Sequence, residues 1–138
     1  MASLRKSIVI AKPASEVWDA VRDSGQLHTR IAPGLVVNTQ LTDGGETRIV
    51  TFANDMVLTE HIISNDDETQ RLAWTALSDQ WTHHNASLQV FALADGSSET
   101  VWTADVLPHA AGDMIAQIID MGLGAMKAHL EGQSHEHD

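Results

Sequence analysis

The spacing of apolar and polar positions changes along the chain, and each spacing predicts a different element. Residues 3–11 (Ser3-Leu4-Arg5-Lys6-Ser7-Ile8-Val9-Ile10-Ala11) read as a first strand, ended by Lys12-Pro13. Pro13 suits a helix start, because the first turn leaves its N–H position unbonded anyway. Residues 14–23 put Ala14, Val17, Trp18 and Val21 on one helical face, with Glu16, Asp19 and Arg22 outside it. Gly25 is a stop, and residues 26–31 read as a second short helical piece before Pro33-Gly34. From residue 34 to Pro108 the texture becomes β-rich. Runs at 35–41, 46–52, 56–64, 71–77, 83–93 and 100–107 alternate with turn signals such as Asp43-Gly44-Gly45, Asn54-Asp55 and Asp95-Gly96. Six short runs at hairpin spacing, with no helix between them, predict an antiparallel meander. Beyond it Met114, Ile115, Ile118, Ile119, Gly122, Met126 and Leu130 recur at three-and-four spacing. Asp113 lies in the first turn of this helix, where a carboxylate complements the dipole.

The predicted order is β-α-α-β-β-β-β-β-β-α. A sheet with one apolar face needs a cover, and the long C-terminal helix is the only large one on offer. The fold class is therefore α+β, a curved seven-stranded antiparallel sheet wrapped around that helix. A length of 138 residues predicts one domain, residues 1–132, followed by a polar disordered tail at 133–138. Eight basic against nineteen acidic side chains give a net charge of −11. That balance argues against a nucleic-acid partner, whose phosphates need a basic surface, and against charge-driven docking on anionic lipid. The chain has no cysteine, hence no disulfide and no thiolate ligand or nucleophile. The apolar stretch 110–126 is broken by Asp113, Gln117 and Asp120, so no membrane insertion is expected. The expectation is a soluble cytoplasmic domain without a cofactor.

Three stretches carry a resemblance. They are Ile8-Val9-Ile10-Ala11-Lys12-Pro13-Ala14-Ser15-Glu16-Val17-Trp18-Asp19-Ala20-Val21, then Thr59-Glu60-His61-Ile62-Ile63-Ser64-Asn65-Asp66-Asp67-Glu68, then a last strand ending at Pro108 before a helix with small residues. Together they resemble the START-like, or helix-grip, superfamily (SRPBCC). It includes the polyketide cyclase/dehydrase-like proteins, the birch-pollen-allergen-like proteins and, more distantly, the plant abscisic-acid receptors. The resemblance implies a pocket for an apolar small molecule between sheet and helix. It implies that Glu60, Trp74 and Ala76 face that pocket. It puts Trp81, Thr82 and His83 on a latch loop, Ala86 and Leu88 on the next strand, and Met114, Ile118 and Gly122 on the helix face. The receptors' Ser-Gly-Leu-Pro-Ala gate is absent, the turn at Ala53-Asn54-Asp55 is too short for it, and Ile31-Ala32-Pro33-Gly34 carries no ligand-pairing base. These departures argue against hormone binding and against the receptors' phosphatase partner.

The residues themselves leave alternatives open. By alternation Glu60 shares a face with Met56, Leu58 and Ile62. A carboxylate among apolar neighbours is a candidate general acid or base. The competing reading has this face turned outward, or Glu60 paired with a base on a neighbouring strand, such as Arg48. If Glu60 is inside, His61 is on the outer surface. His83 and His84 are adjacent on a strand, so their side chains diverge and cannot easily share a metal. His83 is read either as a polar group at the pocket mouth or as an exposed strand-end histidine. No metal site is expected, and His135 and His137 offer only adventitious binding. Trp18 is core, Trp74 is core or pocket, and alternation does not say whether Trp102 or Thr103 faces inward. Gly122 and Gly124 each cost about 1 kcal/mol in a helix. Room for a ligand, a close approach of the sheet, or a kink would each explain them. No nucleophile elbow or phosphate loop is present.

The preferred function is binding or carriage of a small hydrophobic molecule. The alternative is a polyketide cyclase/dehydratase-like enzyme in which Glu60 and His83 move protons. A third is a protein-interaction module with a filled cavity. A homodimer through an exposed edge fits any of the three.

Overall fold

The computed structural model describes residues 1–132. Strand β1 (Ala2–Ile10) leads into helix α1 (Ala14–Arg22). A single π-helical turn, Leu27–Ile31, follows. Then come β2 (Val36–Thr42), β3 (Thr47–Phe52), β4 (Val57–Asp66), β5 (Arg71–Leu77), β6 (His83–Ala92) and β7 (Ser98–Leu107). Helix α2 (Gly112–Gly132) closes the described chain. The predicted tail 133–138 lies outside the described residues.

The seven strands form one antiparallel sheet in the order β1-β7-β6-β5-β4-β3-β2. The meander from β2 to β7 is the one the turn signals predict. β1 adds to the far side of β7, with Ala2 opposite Val106 and Ile10 opposite Ser98. Register shifts between Val36 and Asn38 in β2, and between Ile62 and Ser64 in β4, break the pleat. Such bulges bend a strand and increase its twist, which helps the sheet curl. At the β6–β7 turn Gly96 has φ +88°, a left-handed conformation that only glycine adopts without strain.

The core sits in the hollow of the sheet. Ile115, Ile119, Gly122, Leu123, Met126 and Leu130 form the buried stripe of α2; of the stripe read from sequence, Met114 and Ile118 are half-buried beside it, and Leu123 is added. From α1, Val17, Trp18 and Val21 are buried, as their spacing predicts, and the Trp18 indole N–H donates to Asp67 at 2.8 Å.

The short helical piece read at 26–31 is present as the π turn Leu27–Ile31. Two strand boundaries differ from the sequence reading. β4 continues through Asn65 and Asp66, because after its bulge it still pairs with Leu72 and Arg71. β7 starts at Ser98, where Ile10 and Ala92 both pair with it. The inward face of β7 is also settled. Ser98, Thr100, Ala104 and Val106 are buried along with most of the Trp102 ring, and Thr103 turns to the other face, where its hydroxyl meets that of Ser87 at 2.7 Å.

Candidate functional site

Between the hollow face of the sheet, α2 and the segment from Leu27 to Val36 lies an apolar cavity of about 50 Å³. At about 30 Å³ per molecule that is room for one or two waters. Leu27, Ile31 and Leu35 cover it at one end, Phe52, Leu58 and Leu88 line the sheet side, and Ile115, Ile118, Ile119 and Gly122 line the helix side. Five side chains with polar atoms interrupt this wall: Arg48, Glu60, Trp74, His84 and Trp102.

Arg48 and Glu60 are opposite each other on β3 and β4. The Arg48 Nε–H donates to Glu60 Oε1 at 2.7 Å, and the two side chains are 3% and 8% exposed. Arg48 Nη1 reaches the Ser24 carbonyl at 3.3 Å. Its guanidinium lies 5.1 Å from the centre of the Trp74 ring, within cation–π range. Trp74 in turn meets Trp102 edge-on, with ring centres 5.7 Å apart. Taking two charges out of water costs several kcal/mol per ion, and the short bond, the carbonyl and the ring together offset that cost.

His84 is 7% exposed. Its ring meets Trp81 edge-on at 4.9 Å, and the Trp81 indole N–H donates to the Ala76 carbonyl at 2.8 Å. Burial, helped by the neighbouring His83, lowers the pKa of His84 from 6.5 to about 4. The imidazole is therefore neutral near pH 7. Among the described residues, His84 Nδ1 and the indole nitrogen of Trp102 are buried without a hydrogen-bond partner. Buried polar atoms normally find one.

Gly122 explains how Trp102 fits. A Cβ at Gly122 would lie 2.7 Å from Trp102 Cζ3, whereas one at Gly124 would meet nothing within 4 Å. Of the three explanations the sequence left open, close approach of the sheet accounts for Gly122. Gly124 has no packing reason of this kind.

Comparison with known proteins places the chain. The protein-family model described as "Polyketide cyclase / dehydrase and lipid transport" matches residues 1–131. The chain belongs to that family. No curated protein matches it in sequence. Among solved structures, the protein XoxI from Bacillus cereus is similar at 18% identity, with 96% of this chain and 99% of that one covered and a TM-score of 0.84. A protein from Thermobifida fusca is 29% identical, with 92% and 91% covered and a TM-score of 0.75. A START superfamily protein from Mycobacterium smegmatis is 13% identical, with 99% of both chains covered and a TM-score of 0.72. The α+β helix-grip architecture expected from the resemblance is thus the fold of this polyketide cyclase/dehydrase and lipid transport family member.

Of the residues singled out from sequence, Glu60, Trp74, Leu88, Ile118 and Gly122 line the cavity. Ala76, Trp81 and Ala86 are buried on the same side of the sheet but pack into the core beside it, and Met114 packs half-buried against that core. His83 is not in the cavity wall, and His84 stands there instead. Ala86 and Leu88 fix the inward phase of β6, and His84 is the histidine in step with them. Arg48 and Glu60 form a buried ion pair in the wall. The two readings of Glu60, inward or paired with Arg48, hold together. Arg48, His84 and Trp102 were missed as wall residues. Alternation from Val50 and Phe52, from Leu88, and from Ala104 and Val106 carries the signal for each. Among the described residues, no group of three or more histidine and carboxylate side chains is arranged to hold a metal, and no helix is long and apolar enough to cross a membrane.

Proposed function

We propose that this protein binds a small hydrophobic molecule in the cavity between the sheet and α2. The observation that carries this reading is an enclosed apolar space at the place where the fold can hold a ligand, with its charged groups already paired in the wall. The present space takes only a few atoms. A larger occupant enters by outward movement of Leu27–Leu35, the part of the wall that is neither strand nor long helix. The family description, which joins polyketide cyclisation and dehydration to lipid transport, supports the same class of occupant.

Native mass spectrometry of the protein as purified, followed by denaturing extraction, tests this reading. A stoichiometric small molecule released on denaturation supports it. An apo mass, together with no rise in melting temperature across a panel of apolar compounds, refutes it and favours an interaction module.

A second reading, proton transfer on a bound molecule, is favoured by one observation. Glu60 on β4 and neutral His84 on β6 face the same cavity, with Ala76 on the strand between them. A carboxylate and a neutral imidazole so placed can each accept a proton from a bound polyketide-like substrate and return it. Glu60→Gln separates the two readings, because an enzyme loses turnover while still binding, whereas a carrier changes only in affinity.

A further inference from the structure

The cavity wall holds an unequal set of polar groups. Arg48 and Glu60 balance each other at 2.7 Å, and a second Arg48 donor is taken by the Ser24 carbonyl. The Trp102 indole N–H has no acceptor among the described residues, although its nitrogen is fully buried and its ring lines the cavity. The other tryptophans whose indole bonds are defined do have acceptors, Trp18 in Asp67 and Trp81 in the Ala76 carbonyl. A buried donor left without an acceptor is destabilising, because its desolvation is not offset. His84 Nδ1 is the second such atom in the cavity wall; the Ser98 and Thr100 hydroxyls, also without a partner, are not part of that wall. His84 is opposite Val106, and Leu88 is opposite Trp102. The two residues are therefore four positions apart along β6 and β7, about 13 Å of backbone at strand spacing.

We propose that the cavity recognises an uncharged ligand through an oxygen that accepts the Trp102 indole N–H, and that it rejects carboxylates. This deepens the binding reading above and rests on it. A ketone, ester or hydroxyl oxygen beside Trp102 supplies the missing acceptor. A carboxylate would bring a net negative charge into an apolar space whose one guanidinium is already matched. A buried charge without a partner is far costlier than a buried neutral oxygen. His84, uncharged near neutral pH, offers the same kind of contact to a second oxygen at the other end. Trp102 is on this view a specificity residue.

The test uses the full chain, labelled with ¹⁵N, and three probes of one size: acetophenone, ethylbenzene and benzoate. Affinities are read by NMR titration of the wild type and of Trp102→Phe, which keeps a ring and removes the N–H. Loss of one neutral hydrogen bond predicts that Trp102→Phe weakens acetophenone about twofold to tenfold more than it weakens ethylbenzene. Benzoate is expected to bind at least about tenfold more weakly than acetophenone, one carboxylate desolvation being worth more than 1.4 kcal/mol. In the wild type alone, the Trp102 indole proton moves downfield with acetophenone and not with ethylbenzene, so the proposal stays testable if the variant does not fold. Equal weakening of acetophenone and ethylbenzene by Trp102→Phe, an unmoved indole proton, or benzoate bound as tightly as acetophenone overturns the inference and leaves the binding reading standing. Failure of both acetophenone and ethylbenzene to bind the wild type overturns both.

Discussion

Gly122 and Gly124 sit two residues apart on α2, and the same substitution should act on them with opposite sign. Replacing glycine by alanine in a helix interior gains about 1 kcal/mol, because the unfolded chain loses freedom it would otherwise have to give up. At Gly124 nothing lies within 4 Å of the new methyl group. Gly124→Ala should therefore show the whole gain, about 3 °C in Tm for a chain of this length. At Gly122 the methyl would lie 2.7 Å from Cζ3 and 3.2 Å from Cη2 of Trp102. Carbon atoms rest at about 3.5–4.0 Å, so the ring must retreat by about 1 Å. It is a rigid ring held edge-on by Trp74, and overpacking of this kind costs about 1–3 kcal/mol. Gly122→Ala should thus lose about 1 kcal/mol net, leaving the two variants about 2 kcal/mol apart. Thermal melts by circular dichroism and urea titrations measure both. Trp102→Leu removes the obstacle, so in that background Gly122→Ala should regain its benefit, a coupling of about 2 kcal/mol in a double-mutant cycle. If Gly122→Ala stabilises as much as Gly124→Ala in the wild type, Trp102 slides freely and close packing is not why Gly122 is there.

Three further outcomes follow from the wall of the cavity. Arg48→Met leaves the Glu60 carboxylate buried and alone, and should cost about 3–5 kcal/mol in urea unfolding, while Arg48→Met combined with Glu60→Leu should recover most of that loss. His84 resists protonation until about pH 4 in the folded protein, whereas the unfolded chain takes the proton near pH 6.5. Stability should fall as pH drops from about 7 to about 4, by up to about 3 kcal/mol, and His84→Leu should flatten that part of the profile measured by urea unfolding at each pH. Trp81→Phe removes the donor from the Ala76 carbonyl and should lower stability by about 1–3 kcal/mol, read from the same urea midpoints.

The fold was legible because its elements repeat simple rhythms. The strands of the meander, the buried face of α1 and the α2 stripe each follow from periods of two or 3.6. The site was legible only where one rhythm ran unbroken into it. Glu60 follows Leu58 by one strand repeat, and both face inward. On β6 the same counting from Leu88 through Ala86 reaches His84, but the carry-over from the receptors' latch loop pointed to His83, one residue out of phase. On β7 the inward positions Ser98 and Thr100 are polar, which hides the phase that puts Trp102 inside. The Arg48–Glu60 pair depends on cross-strand register, and register is decided by turn geometry as much as by any single residue. The segment covering the cavity, Leu27 to Val36, has no period at all, so its apolar residues gave no hint of which of them face the cavity.

The pairing of β1 with β7 has a consequence for how the chain is made. Ala2 finds its partner only in Val106, and Ile10 only in Ser98. At about 5–20 residues per second, a nascent β1 waits about 5–20 s before β7 exists. In that interval the apolar run Ile8-Val9-Ile10 has no strand to lie against. The meander from β2 to β6 can assemble hairpin by hairpin as it emerges, since each strand follows its neighbour directly. The sheet's seam therefore closes late, over a span of about a hundred residues, and long-range closure of this kind slows folding. The Arg5-Lys6 pair just before the run gives the waiting strand positive charge in an otherwise acidic chain, and charge on an unpaired strand discourages association with other copies.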